Sequence, residues 1–229
     1  MNAADTSATP TTTNDASDRA DIDSARWAVG VIDVENDFCE GGSLAVDGGA
    51  AVAGRIRDWI ENEPRRWVAR FATADRHPAD LPGHFAPTGT DPDYVDTWPP
   101  HCVAGTAGAA LHPNLLDGTS ETALFDVLVE KGQHTAAYSG FEGTTPDGDT
   151  LANWLRDRAV DGVELVGIAT DHCVRATAAD ALAEGFRVRV VTDLCVGITP
   201  ETVEAALRDL DAAGAEIVTT ADLAALADR

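Results

Sequence analysis

From Arg26 onward, short apolar runs rich in β-branched residues alternate with longer segments whose apolar residues recur at helical spacing. That alternation constrains the fold more than any other feature, because such runs belong in a parallel sheet buried between layers of helix. Strands are predicted over Trp27–Val34, Trp67–Thr73, Leu124–Val129, Val163–Ile168, Arg187–Thr192 and Ala215–Thr219. Helices are predicted near Ala50–Glu61, Thr150–Arg158, Val174–Glu184 and Thr202–Ala213. Gly185 and Gly214 stand where two of these helices should stop, and Thr199 before Pro200 marks a capped helix start. The expected architecture is α/β: one domain over residues 25–229, with three layers (α/β/α) around a mostly parallel six-stranded sheet. Residues 1–24 are rich in Ala, Thr, Ser and Asp and lack an apolar centre flanked by basic residues, so they read as a disordered acidic tail and not a secretory signal. Residues 76–118 are dense in Pro, Gly, Asp and His, show no sustained period, and are expected to form a long functional loop.

Charge narrows the partners. With 39 acidic and 16 basic residues the formal net charge is -23, which repels phosphate backbones and anionic lipid headgroups. No run approaches the roughly 18 apolar residues that a membrane span needs. Neither nucleic acid nor a membrane is therefore an expected partner, and a small-molecule substrate is; a monomer or small homo-oligomer fits. Cys39, Cys102, Cys173 and Cys195 are scattered, without the paired spacing of a disulfide framework or a zinc knuckle, which fits a reducing cytoplasm. Lys131 is the only lysine in the chain, and arginine supplies every other fixed basic side chain. A sequence that avoids lysine but keeps one points to a need for it at that place.

In an open parallel sheet, ligands bind beyond the carboxyl ends of the strands. Polar residues there are Asp33 at the end of the first run, Asp75 and His77 after the second, Lys131 after the third, and Thr170 to Cys173 after the fourth. Cys173 precedes the helical pattern VRATAADALAEG, so its thiol is expected at a helix N-terminus, where its pKa should fall and free N–H groups could receive an oxyanion. Asp75 and His77, with His84 and His101 later in the loop, form a candidate oxygen-and-nitrogen site for a transition metal. Cys39, Cys102 and Cys195 read as packing residues, and His112 and His134 as ordinary loop residues.

Five segments, in order, resemble the nicotinamidase/pyrazinamidase branch of the isochorismatase-like cysteine hydrolases: VIDVENDFCEGGSLAV, TADRHPADLPGHF, WPPHCVAGTAGA, KGQHTAAYSGFEG and VGIATDHCVRATAADAL. The likeness runs from about Trp27 to Val218. It implies Cys173 as nucleophile, Asp33 as general acid/base and Lys131 as the cation that orients Asp33 and favours the thiolate. It also implies one divalent transition metal (Zn, Fe or Mn) on Asp75, His77, His84 and His101, and an oxyanion hole from the backbone N–H groups of Ala169 and Cys173. Phe38, Trp98 and Tyr138 match positions that sandwich a pyridine ring, and His172 matches a pocket-shaping position. The implied reaction is hydrolysis of nicotinamide, and of pyrazinamide, through a thioester. A cis peptide between Ile168 and Ala169 is implied as well. Glu35 departs from the glutamine usual in the family and is expected to act structurally, since glutamate and glutamine share a shape. The segment from His77 to His84 is slightly longer than in some relatives. Two other readings compete: a superfamily amidase acting on a carbamoyl or ureido substrate, against which the metal ligands count, and a non-catalytic ligand-binding member, against which the intact triad counts.

The acidic excess and near absence of lysine fit adaptation to concentrated salt, where self-repulsion is screened over about 3 Å. Circular dichroism should then show the fold loosening as potassium chloride is lowered from molar to millimolar concentration. Unchanged stability across that range would favour a GC-rich genome as the cause.

Overall fold

The computed structural model describes residues 25–227; the segment 1–24 and the last two residues lie outside the described residues. Six strands form one sheet: β1 Trp27–Ile32, β2 Ala69–Asp75, β3 Val127–Lys131, β4 Gly162–Ile168, β5 Arg187–Val196 and β6 Glu216–Val218. Their order is β3-β2-β1-β4-β5-β6, and every neighbouring pair is parallel. The helices are α1 Gly49–Asn62, α2 Pro113–Leu116, α3 Glu121–Leu124, α4 Leu151–Asp157, α5 Arg175–Ala183, α6 Pro200–Ala213 and α7 Thr220–Ala227. The predicted three-layer α/β/α arrangement is present, with a sheet that is wholly parallel among the described residues.

Every residue of β1 is buried, and its side chains alternate between two cores. Val29 and Val31 face a core shared with Val52, Ile56 and Ile60 of α1 and Leu223 of α7, while Ala28 and Ile32 face one shared with Leu155 of α4, Ala178 of α5 and Leu210 of α6. Because β1 is followed outward by β2 and β3 on one side, and β4 to β6 lie on the other, the chain reverses direction between β1 and β4. A crevice opens beyond the carboxyl ends of strands at such a switch point.

The predicted helix caps hold. Thr199 accepts from the Thr202 N–H with Pro200 at the first helical position, and Gly214 ends α6 with a φ of 103°. Several boundaries differ from the sequence reading; β5 runs to Val196, four residues past the predicted end. β1 stops at Ile32, two residues early, because Asp33 takes a left-handed φ of 47° that turns the chain out of the sheet. The second and third strands lie about two residues later than predicted, so that Asp75 and Lys131 are last residues of strands and register partners. Leu124 belongs to α3, not to a strand, because that run also offers one apolar side chain to a short helical turn. Helix α7 was not foreseen, and the long segment after Arg76 holds its first helix, α2, only at Pro113.

Glu164, in the middle of the sheet on β4, is completely buried and offsets its burial with four charged or polar hydrogen bonds. It accepts from Arg66 Nε at 2.9 Å and Nη2 at 2.7 Å, from Trp67 Nε1 at 2.8 Å and from Arg189 Nη1 at 3.3 Å. Removing one member of such a group strands the others. Glu164→Ala should lower unfolding stability by about 3 kcal/mol in urea titration; a change too small to resolve would show that this network does not hold the sheet.

Candidate active site

The carboxyl ends of β1, β2, β3 and β4 converge at the crevice. Asp33 follows β1, Asp75 closes β2, Lys131 closes β3, and β4 leads through Ala169 into a wide π-type turn, Thr170–Val174, that carries Cys173. The peptide between Ile168 and Ala169 is cis, as the sequence match implied. Asp33 and Lys131 are fully buried, and Asp75 and Cys173 nearly so.

Lys131 is the hub of the arrangement. Its Nζ lies 2.9 Å from Asp33 Oδ2, 2.6 Å from Asp75 Oδ1, 3.2 Å from the Ala137 carbonyl and 3.9 Å from Cys173 Sγ. Burial alone would lower the lysine pKa, but Asp33, Asp75 and Cys173 outweigh it and hold the ammonium well above its ordinary range. The two carboxylates that share this cation are pushed apart. Burial raises Asp33, with Lys131 opposing and Asp75 adding to the rise. Burial would raise Asp75 too, yet Lys131 and the adjoining His77 outweigh it and hold Asp75 below the usual carboxylate range. Two acids driven in opposite directions give one permanent anion and one proton carrier. Thr73, unforeseen from the sequence, fixes the carrier: its hydroxyl donates to Asp33 Oδ1 at 2.6 Å and accepts from the Asp33 N–H at 3.2 Å.

One expectation fails. The Cys173 thiol is raised well above its ordinary pKa, not lowered, because burial outweighs the help of Lys131 and the nearby Asp33 and Asp75 also oppose a thiolate. A helix N-terminus is a weak counterweight to full desolvation beside two carboxyls. Lys131 Nζ, 3.9 Å from Cys173 Sγ, is the nearby group that favours a thiolate once the proton leaves.

Beside Asp75, His77, His84 and His101 bring one ring nitrogen each to within 4.8 Å of one another. His77 Nδ1 donates to the Gly132 carbonyl at 2.9 Å and His101 Nδ1 to the Pro99 carbonyl at 2.8 Å, since a carbonyl can only accept. Each Nε2 is left with its lone pair. Gly132, at a φ of 79°, lets the His77 ring pack where a Cβ would collide with it. Among the described residues, the Nε2 atoms of His77 and His84 are buried without a hydrogen-bond partner. His84 is held neutral, its pKa lowered to about 4 by burial and then by His77 and His101. Converging imidazoles, two of them with buried Nε2 atoms that have no hydrogen-bond partner, suit a divalent metal. His84 thus joins the group despite the longer segment before it. Asp75 approaches the group from one side, with Oδ2 3.4 Å from His77 Nε2.

A cavity adjoins both groups. Its walls include Phe38, Trp98, Tyr138, Ala169 and Cys173. Trp98 Nε1 donates to Tyr138 Oη at 3.1 Å, which holds the two rings in one wall. His172 lines it too; Leu44 and Val46 complete it from the segment around Asp33, and Ile198 from a segment that no motif had marked. Cys39 and Cys102 are buried packing residues as expected, and His112 is more than a loop residue, since its Nδ1 caps α2 by accepting from the Asn114 N–H at 3.1 Å.

Glu35 is fully buried and turned away from solvent. Oε2 accepts from the Asp75 N–H at 2.8 Å and Oε1 from Arg76 Nη1 at 3.1 Å. Burial, with Asp75 and Asp33, pushes its carboxyl up, against the Asp75 N–H and Arg76.

With this geometry in place, the relatives are informative. Residues 28–222 match the isochorismatase domain family. The chain is 50% identical to the nicotinamidase/pyrazinamidase of Mycobacterium tuberculosis over 82% of this chain and 96% of that protein. It is 38% identical to the nicotinamidase of Escherichia coli over 84% and 94%. The crystal structure of a Pyrococcus horikoshii pyrazinamidase in complex with zinc superposes with a TM-score of 0.69 at 35% identity, over 85% of this chain and 99% of that one. A shared fold, sequence identity across nearly the whole domain and the family match at residues 28–222 agree: the chain belongs to the isochorismatase family.

Proposed function

We propose that this protein is a nicotinamidase, which hydrolyses nicotinamide to nicotinate and ammonia and accepts pyrazinamide as well. The observation that carries the reading is the single buried ammonium of Lys131 placed against Asp33, Asp75 and Cys173, the last two of which line a cavity walled by aromatic rings. The names of the M. tuberculosis and E. coli relatives support the same substrate.

Asp33 takes the thiol proton, and Cys173 Sγ attacks the carboxamide carbon. Lys131 keeps the anion formed on sulfur or on carboxylate compensated while the proton moves between them. Backbone N–H groups of Ala169 and Cys173 receive the developing oxyanion. Asp33, whose raised pKa suits it to hold a proton, then delivers it to the departing ammonia and leaves a thioester on Cys173. Water attacks the thioester with Asp33 as base, and nicotinate is released. Phe38, Trp98 and Tyr138 hold the ring between them.

His77, His84 and His101, with Asp75 at their side, would hold a divalent metal, for which zinc, iron and manganese are all chemically suited. When bound, such an ion supplies a Lewis-acid contact for the pyridine nitrogen and so serves as a template for substrate position. The zinc complex of the P. horikoshii pyrazinamidase supports this assignment. A thiol nucleophile needs a reducing environment, which favours the cytoplasm.

Ammonia release from nicotinamide tests the reading. Turnover should fall after chelation and return with added zinc, iron or manganese, whereas Cys173→Ala should abolish turnover with fold and metal content intact. Pyrazinamide should be hydrolysed and benzamide, which lacks a ring nitrogen, should be poor. Near wild-type turnover in Cys173→Ala would refute the nucleophile, and equal rates on benzamide would remove the metal from substrate recognition.

A further inference from the structure

The buried carboxylate of Glu35 sits one shell behind the site, and its counterion is Arg76. This arginine is no surface ion pair: its side chain is 15% exposed and reaches four separate groups. Nη1 donates to Glu35 Oε1 at 3.1 Å, to the Asp75 carbonyl at 2.8 Å and to the Ala109 carbonyl at 2.6 Å, and Nε donates to Glu130 Oε1 at 3.0 Å. The Arg76 N–H donates in addition to the Lys131 carbonyl at 2.8 Å. Arg76 therefore ties together the segment after β1, the end of β2, the end of β3 and the loop that runs back from His101.

Asp75 lies at the centre of these contacts. Its N–H donates to Glu35 Oε2 at 2.8 Å and its carbonyl accepts from Arg76, so the peptide groups on both sides of its Cα are held by two side chains that also bind each other. The Asp75 carboxylate is left to face Lys131 Nζ at 2.6 Å and His77 Nε2 at 3.4 Å. Glu35, Asp75 and Cys102 also bring potential ligand atoms to within 4.8 Å of one another, but both Glu35 oxygens are already engaged by donors from the protein. The positive partner of that carboxylate is the guanidinium.

We propose that Arg76 and Glu35 act as one positioning pair, which fixes the backbone of Asp75 and thereby sets where its carboxylate meets Lys131 and the histidine group. The dependence of the two residues on each other is asymmetric. Arg76 without Glu35 still reaches the carbonyls of Asp75 and Ala109, and glutamine at position 35 can still accept from the Asp75 N–H. Glu35 without Arg76 is a buried carboxyl close to Asp75 and Asp33 that must either stay charged without its counterion or take up a proton, and either change disturbs its contact with the Asp75 N–H. The inference rests on the reading that Asp75 serves the site proposed above, and it predicts an asymmetric, strongly coupled pair of substitutions.

The test is a double-mutant cycle with Glu35→Gln, Arg76→Gln and the double variant. It is read by kcat/KM for nicotinamide and by the affinity and visible absorption of cobalt(II) added to the metal-stripped protein. Glu35→Gln should lose less than about fivefold, and Arg76→Gln at least about tenfold in kcat/KM with weakened and altered cobalt binding, as an uncompensated buried charge demands. Adding Glu35→Gln to Arg76→Gln should restore most of both losses. A double variant no better than Arg76→Gln, or an Arg76→Gln variant equal to wild type in both measurements, would overturn the proposal. If Arg76→Gln does not fold, a folded, cobalt-binding double variant supports the pairing and an unfolded one refutes it. Should the wild-type protein fail to hydrolyse nicotinamide, the functional reading falls, while the cobalt cycle still decides whether the pair positions Asp75.

Discussion

One ammonium group, buried at the carboxyl edge of the sheet, is shared by two carboxylates and a thiol, and the site's design follows from that contact. Lys131 Nζ, fully excluded from water, meets Asp33 and Asp75 within 3 Å and Cys173 Sγ at 3.9 Å. Neither carboxyl would be tolerated in such a place without the cation, and the lysine would shed its proton without them. One cation cannot fully satisfy both acids, so their proton affinities diverge. Asp75, bonded at the shorter distance and beside His77, stays an anion; Asp33, with Thr73 as its other partner, is the acid that can hold a proton.

The sheet makes this contact possible. Asp75 and Lys131 are register partners at the ends of adjacent parallel strands, so their side chains leave the sheet side by side. Asp33 comes from the neighbouring central strand, and its left-handed backbone turns it towards the other two. Cys173 arrives from β4, across the point where the strand order reverses. Four residues separated by up to 140 positions thus meet because four strands end together, and the two hydrophobic cores beneath hold those ends in place. Arg76 and Glu35 extend the same logic backwards, fastening the peptide groups of Asp75 to three other segments.

Much of this was legible in the sequence, and the reasons are physical. The alternation of apolar runs and helical segments announced the parallel sheet, and polar residues at the ends of the runs marked Asp33, Asp75, Lys131 and Cys173 before any relative was considered. The single lysine was informative because nothing else in the composition required one. Other features depended on distances that no linear pattern carries. Thr73 looked like one more residue of a buried strand, and its hydroxyl gained meaning only beside Asp33. Asp75 was read as a metal ligand, yet its shortest charged contact is to Lys131. The thiol of Cys173 was expected to be acidic because a helix start follows it; burial beside two carboxyls reverses that direction. Ile198 reaches the cavity from a loop whose sequence carries no catalytic signature, Leu44 and Val46 lay in a marked segment without being singled out, and Arg76 was passed over although its carboxylate partner Glu35 had been noticed.

The central claim is that Lys131 remains a buried ammonium held by Asp33 and Asp75. Because the chain contains a single lysine, protein labelled with 15N at lysine Nζ gives one side-chain signal, whose shift and pH dependence report this group alone. The account predicts an ammonium signal that stays protonated past the ordinary lysine value of about 10.4 for as long as the fold persists, and that titrates earlier when Asp33 and Asp75 are both replaced by asparagine. A neutral amine at pH 7, or a titration at or below the ordinary value in the wild-type protein, would contradict it.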